Sequence, residues 1–103
     1  MKLAAYYIHS EPTSANKKAL ELVKGLAERG VPVLETSNNG LNITTPHVYI
    51  TFITDLYKMR GRRFDVVFGP VPENFKYTCL KDPSLRTFKG TLLNYVLSAE
   101  GLM

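Results

Sequence analysis

Leu3-Ala-Ala-Tyr-Tyr-Ile8, followed after a polar turn by a helical stripe and then by Val31-Pro-Val-Leu-Glu-Thr36, is the stretch on which the fold turns. The first run is apolar without alternation and carries aromatic and β-branched residues, the pattern of a strand buried on both faces. His9-Ser-Glu-Pro-Thr13 is a polar turn. From about Ser14 to Arg29 a helix is expected, because Ala15, Ala19, Leu22, Val23 and Leu26 recur at three- and four-residue steps. Thr13 or Ser14 is the expected N-cap, and Gly30 stands where a C′ glycine belongs. Residues 31–36 then read as a second strand, with Pro32 at its start or at an unpaired edge. Strand, helix, strand makes a βαβ unit, which predicts a right-handed crossover and a parallel pair.

The middle of the chain changes character. Ser37-Asn-Asn-Gly40 is a turn signal, and two short strands follow, Leu41–Thr44 and His47–Ile53, separated by Pro46. The section over residues 37–53 is expected to be antiparallel. A short helix is expected over Asp55–Met59. Phe64–Phe68 reads as a buried strand stopped by Gly69-Pro70. Residues 71–80 read as loop with a short strand near Tyr77. Asp82-Pro83 reads as an N-cap with N1 proline. Leu85, Phe88, Leu92, Tyr95, Val96 and Ala99 then predict a helix over 83–100. The fold class is therefore α/β, one domain over 1–103, with a mixed sheet and two main helices at 14–29 and 83–100.

Composition narrows the function classes. The chain has 103 residues, enough for one core and too few for two. Lys and Arg number 13 against 9 acids, net +4, which permits an acidic partner without demanding one. One cysteine, Cys79, allows no internal disulfide, so a reducing, cytoplasmic setting is expected. No apolar run approaches the roughly 18 residues of a membrane span. His9 and His47 lack the neighbours that metal-ligand spacing requires, so no metal and no cofactor is expected. Asn42-Ile-Thr44 matches a glycosylation acceptor by chance alone in that setting.

Two segments carry chemistry. In Glu11-Pro-Thr-Ser-Ala-Asn-Lys17-Lys18 the spacing matches G-x-x-x-x-G-K-[ST], with Glu11 and Asn16 in the glycine places, Lys17 in the lysine place and Lys18 in the hydroxyl place. Met59-Arg-Gly-Arg-Arg-Phe-Asp-Val-Val-Phe68-Gly69 resembles the arginine-rich approach to a Walker B strand. Together, over about residues 3–36 and 59–69, the chain resembles a degenerate P-loop NTPase-like domain of phage type, terminase- or helicase-like. The resemblance implies a nucleotide-binding relic and not a working ATPase. Both glycine places and the Mg²⁺-binding hydroxyl are substituted, and Gly69 stands where the acid after the strand should be. Weak anion binding at Thr13, Ser14, Asn16, Lys17 and Lys18 is the remaining expectation.

Lys58, Arg60, Arg62 and Arg63 place four cations within six residues, with no acid between them and Tyr57 and Phe64 at the flanks. Arginines in such a run clamp carboxylates or phosphates, and aromatic flanks suit exposed bases or apolar contacts. The plainer alternative is a solvated loop pairing with Asp55 or Glu73. The expected function is a small non-catalytic accessory protein that acts by binding. A host or viral protein, inhibited or regulated, is the expected partner, and a homodimer is one form such a module takes. Nucleic acid held by Tyr57, Lys58, Arg60, Arg62 and Arg63 is the alternative.

Overall fold

A computed structural model describes residues 1–9, 11–37, 40–87 and 90–103. Five strands and three α-helices follow in the order β1 (Lys2–Tyr7), α1 (Pro12–Glu28), β2 (Glu35–Ser37), β3 (Asn42–Thr44), β4 (Val48–Ile53), β5 (Val66–Phe68), α2 (Glu73–Cys79), α3 (Leu92–Ala99). Short 3₁₀ turns cover Leu56–Met59 and Pro83–Thr87. The sheet is mixed and ordered β2-β3-β4-β1-β5. β1 pairs in parallel with β4 on one side and β5 on the other, while β2, β3 and β4 form an antiparallel meander.

The expected α/β class with a mixed sheet therefore holds, but the partner of β1 is different. The strand after α1 does not lie beside β1. Pro32 has no amide to donate, residues 31–34 form no strand, and β2 is three residues at the sheet edge. The parallel crossover from β1 closes one hairpin later, on β4, whose Val48, Ile50 and Ile53 can be buried as an edge strand's residues cannot. It also follows that the 41–53 region offers no free edge, since β3 and β4 are both interior.

Alternate residues of the parallel strands divide the core. Ala4, Val48, Ile50, Phe52 and Val66 pack under α1 and α3. Ala5, Tyr7, Ile53 and Val67 pack under the Leu56–Met59 turn and α2. The molecule is thus three layers deep around β1. No described helix is long and apolar enough to cross a membrane.

Three local expectations are corrected. α1 begins at Pro12 with Glu11 as N-cap, ahead of Thr13 and Ser14, because proline's fixed φ and missing N–H suit the first helical position. Residues 73–79 are helix, not loop or strand. Pro70 and Pro72 precede α2 instead of interrupting it, and Phe75 and Cys79 fall one turn apart on its inner side. The predicted helix 83–100 is broken. Asp82 caps only the 3₁₀ turn, accepting from the Ser84 amide at 3.0 Å, and α3 starts afresh with Thr91 accepting from the Asn94 amide at 3.1 Å. Gly90 has φ +134°, a conformation that no helix contains, so it marks the break. Phe88, from the predicted stripe, and Ser10, Asn38 and Asn39, from the predicted turns, lie outside the described residues.

The end of α3 is tied to the β3–β4 turn by a carboxylate. The Glu100 side chain is 6% exposed and accepts from the Thr45 hydroxyl and from the His47 amide at 3.0 Å. Glu100→Ala takes the acceptor from the His47 amide, leaves the fully buried Thr45 hydroxyl only the Val48 carbonyl at 3.1 Å, and is expected to cost about 1.5–3 kcal/mol. Urea unfolding should show this as a lower midpoint at unchanged m-value.

Candidate functional site

The C-terminal ends of β1, β4 and β5 share one edge, and the chain leaves β1 for one face (α1) and β5 for the other (α2). In open α/β sheets such a divergence opens a crevice for ligands. Here the backbone closes tightly at one point of it. Gly69 has φ +103°, and a Cβ added there would lie 2.1 Å from the Tyr7 carbonyl oxygen. The Tyr7 hydroxyl and His9 Nδ1 share a hydrogen bond at 2.7 Å beside this closure.

The residues that match the phosphate-loop spacing are helical. Thr13, Ser14, Asn16, Lys17 and Lys18 all lie within the first turns of α1. Pro12 has no amide hydrogen, and Ser14 donates its own to the Glu11 carbonyl at 2.9 Å. Asn16, Lys17 and Lys18 are exposed, and Lys18 Nζ stands 4.0 Å from Glu21. Asp65, the acid within the Walker B-like stretch, sits at the opposite sheet edge. It accepts from the Leu3 amide at 2.6 Å and pairs with Lys81 at 3.7 Å. Burial, and then the Asp65 charge, push the Tyr95 phenol above its usual range.

Between α1 and the start of α3 lies a groove of about 490 Å³. Phe52, Tyr6 and Phe68 line it in a row across β4, β1 and β5, with ring centroids 5.8 and 6.4 Å apart. Phe52 belongs to the core and Tyr6 and Phe68 pack against it; the alignment of the three rings comes from the register of three adjacent strands. Lys18 and Glu21 stand at its rim and pair with each other. Cys79 is buried on the other side of the sheet, where burial pushes its thiol above the usual value and keeps it protonated.

The basic cluster is differently placed. Asp55 caps the 3₁₀ turn by accepting from the Tyr57 amide at 2.9 Å, and Leu56 and Met59 anchor the turn in the core. That register turns Tyr57 and Lys58 outward, and Tyr57 is 70% exposed. Arg60 lies over the Tyr57 ring, 4.8 Å from its centroid, and Arg62 lies 5.2 Å over Phe64. Such cation–π contacts hold a guanidinium in place while leaving its N–H groups free to donate. Among the described residues, none of Lys58, Arg60, Arg62 and Arg63 has a carboxylate within ion-pair distance, so neither Asp55 nor Glu73 neutralises them.

Arg63 differs from the rest. Its guanidinium donates to the carbonyls of Leu80 and Lys81, at 3.2 and 3.4 Å, where Leu80 bridges to Phe64 at the sheet margin. It is a strut and not a free contact. Arg63→Ala should cost about 1 kcal/mol by thermal unfolding, whereas Arg62→Ala should stay within about 0.5 kcal/mol.

Among the described residues no group of three His, Cys, Asp or Glu side chains is placed to hold a metal ion. Compared with family models, curated proteins and solved structures, the chain finds no match.

Proposed function

We propose that this chain acts by binding, and that its contact surface is the basic–aromatic ledge Tyr57-Lys58-Met59-Arg60-Gly61-Arg62, turned toward the acidic surface of a protein partner. The observation that carries the reading is the Tyr57–Arg60 pair: a large exposed ring with a guanidinium already seated on it and, among the described residues, no carboxylate within ion-pair distance of that guanidinium. Side chains held in the bound geometry before contact lose less entropy on association. The groove beneath α1 and α3 is the poorer candidate for an ionic partner, because its two charges already face each other. In this reading the chain inhibits or regulates the host or viral protein that it covers.

A nucleic-acid track would have to join the ledge to Lys17, Lys18 or Lys24. Those lysines belong to α1, across the sheet from the Leu56–Met59 turn, which leaves only a short basic patch for a phosphate backbone. The resemblance to phage-type P-loop domains rests on residue spacing; the parallel pairing of β1 with β5 sets the two resembling segments side by side.

The test is capture from nuclease-treated lysate, read by mass spectrometry, with the parent chain and with Lys58→Glu/Arg60→Glu. The reading expects a nuclease-resistant protein that the variant loses. Capture that nuclease abolishes, or that the variant retains, would overturn it.

A further inference from the structure

Beside the ledge, a cavity of about 300 Å³ opens between the end of the 3₁₀ turn and α2, lined by Met59, Arg60, Gly61, Asn74, Phe75 and Thr78. Its volume is at the lower limit of small-ligand pockets, roughly 300–1,000 Å³, and suits a side chain better than a cofactor. Its chemistry is divided. Met59 and Phe75 supply apolar wall, from a buried and a half-buried position. Arg60 and Asn74 supply donors. The Asn74 amide has no hydrogen-bond partner among the described residues. Thr78 offers no free proton, since its hydroxyl donates within α2 to the Asn74 and Phe75 carbonyls, both at 3.1 Å. Gly61 has φ +72°, and a Cβ there would meet nothing within 4 Å, so the mouth is open on that side.

We infer that this cavity is the anchor pocket of the ledge and takes the carboxylate side chain of an acidic peptide segment. Its methylenes lie against Met59 and Phe75 and its oxygens accept from Arg60 and Asn74. The inference rests on the ledge reading and adds the partner's chemistry to it. Charge complementarity selects the occupant. Arg60 lines the cavity, it and its chain neighbours Lys58 and Arg62 have no ion-pair partner among the described residues, and the Asp55 carboxylate is engaged with the Tyr57 amide. A carboxylate seated here gains charge-assisted bonds from a preplaced guanidinium.

The test measures fluorescence anisotropy of a short acetylated, amidated oligo-glutamate peptide, with its glutamine counterpart and a single-stranded oligonucleotide as comparisons. The intact chain should bind the glutamate peptide at least about tenfold more tightly than either. Asn74→Asp sets a like charge in the pocket and should weaken the glutamate peptide at least about tenfold, whereas Asn94→Asp, the same charge at an exposed position of α3, should change it less than about twofold. If Asn74→Asp binds as the parent does while Lys58→Glu fails, the pocket is refuted and the ledge stands. If both variants bind as the parent does, the ledge falls as well. Equal binding of the glutamine peptide, or tighter and steeply salt-dependent binding of the oligonucleotide, overturns the carboxylate assignment.

Discussion

Gly69→Ala should destabilise the protein by more than about 3 kcal/mol. Two costs combine. A φ of +103° is strained for an L-residue whatever surrounds it, and the added Cβ would meet the Tyr7 carbonyl oxygen at 2.1 Å. That oxygen belongs to β1, which is paired on both sides and cannot retreat without parting from β4 or β5. A domain of this length has about 5–15 kcal/mol in total, so the change removes a large share of it. At about 4 °C or more per kcal/mol, Tm should fall by at least about 12 °C. Gly61→Ala is the matched comparison. Its φ is +72°, but its Cβ would meet nothing, so only the backbone cost of about 1 kcal/mol is expected. Equal losses at the two sites would mean that the β5–α2 loop does not press on β1.

Lys58→Glu/Arg60→Glu should abolish most binding to an acidic polypeptide while leaving stability within about 0.5 kcal/mol. Both side chains are exposed and pair with no carboxylate among the described residues, so the fold does not depend on their charge. Each lost charge-assisted contact is worth about 1.5–3 kcal/mol, and the pair therefore more than about 100-fold in affinity. Tyr57→Ala should act less strongly, by freeing the Arg60 guanidinium from its seat. Arg63 should not join the series. Its bonds to the Leu80 and Lys81 carbonyls make any charge reversal there a stability change as well as a binding change.

What could be read from the amino acids follows from how local each signal is. The buried strand at residues 3–8, the helix after it and the proline and glycine stops are decided within a few residues, and they stand in the fold. The wrong partner for β1 came from taking the next strand in sequence as the next in space. Pro32 hinted otherwise, yet pairing depends on burial that no single segment reveals. α2 was missed because Pro70 and Pro72 read as breakers, when a proline just ahead of a helix opens it. The break at Gly90 was missed because the apolar spacing continues across it, and periodicity does not register a positive φ.

Of the site, the basic cluster was legible as composition. The cation–π seating of Arg60, the outward turn of Tyr57 and the diversion of Arg63 into the scaffold were not, since each depends on which residues of the 3₁₀ turn become anchors. The row of Phe52, Tyr6 and Phe68 is a product of register across three strands far apart in sequence.

The most direct test of the account is a binding footprint: NMR cross-saturation from an unlabelled acidic polypeptide to the amides of the intact, deuterated chain. The predicted footprint covers Tyr57, Lys58, Arg60, Gly61 and Arg62 and extends to Asn74 and Thr78 on α2, with α1 unaffected. A footprint on Leu22, Leu92 and Leu93 around the aromatic groove, or on Lys17 and Lys24 of α1, would contradict it.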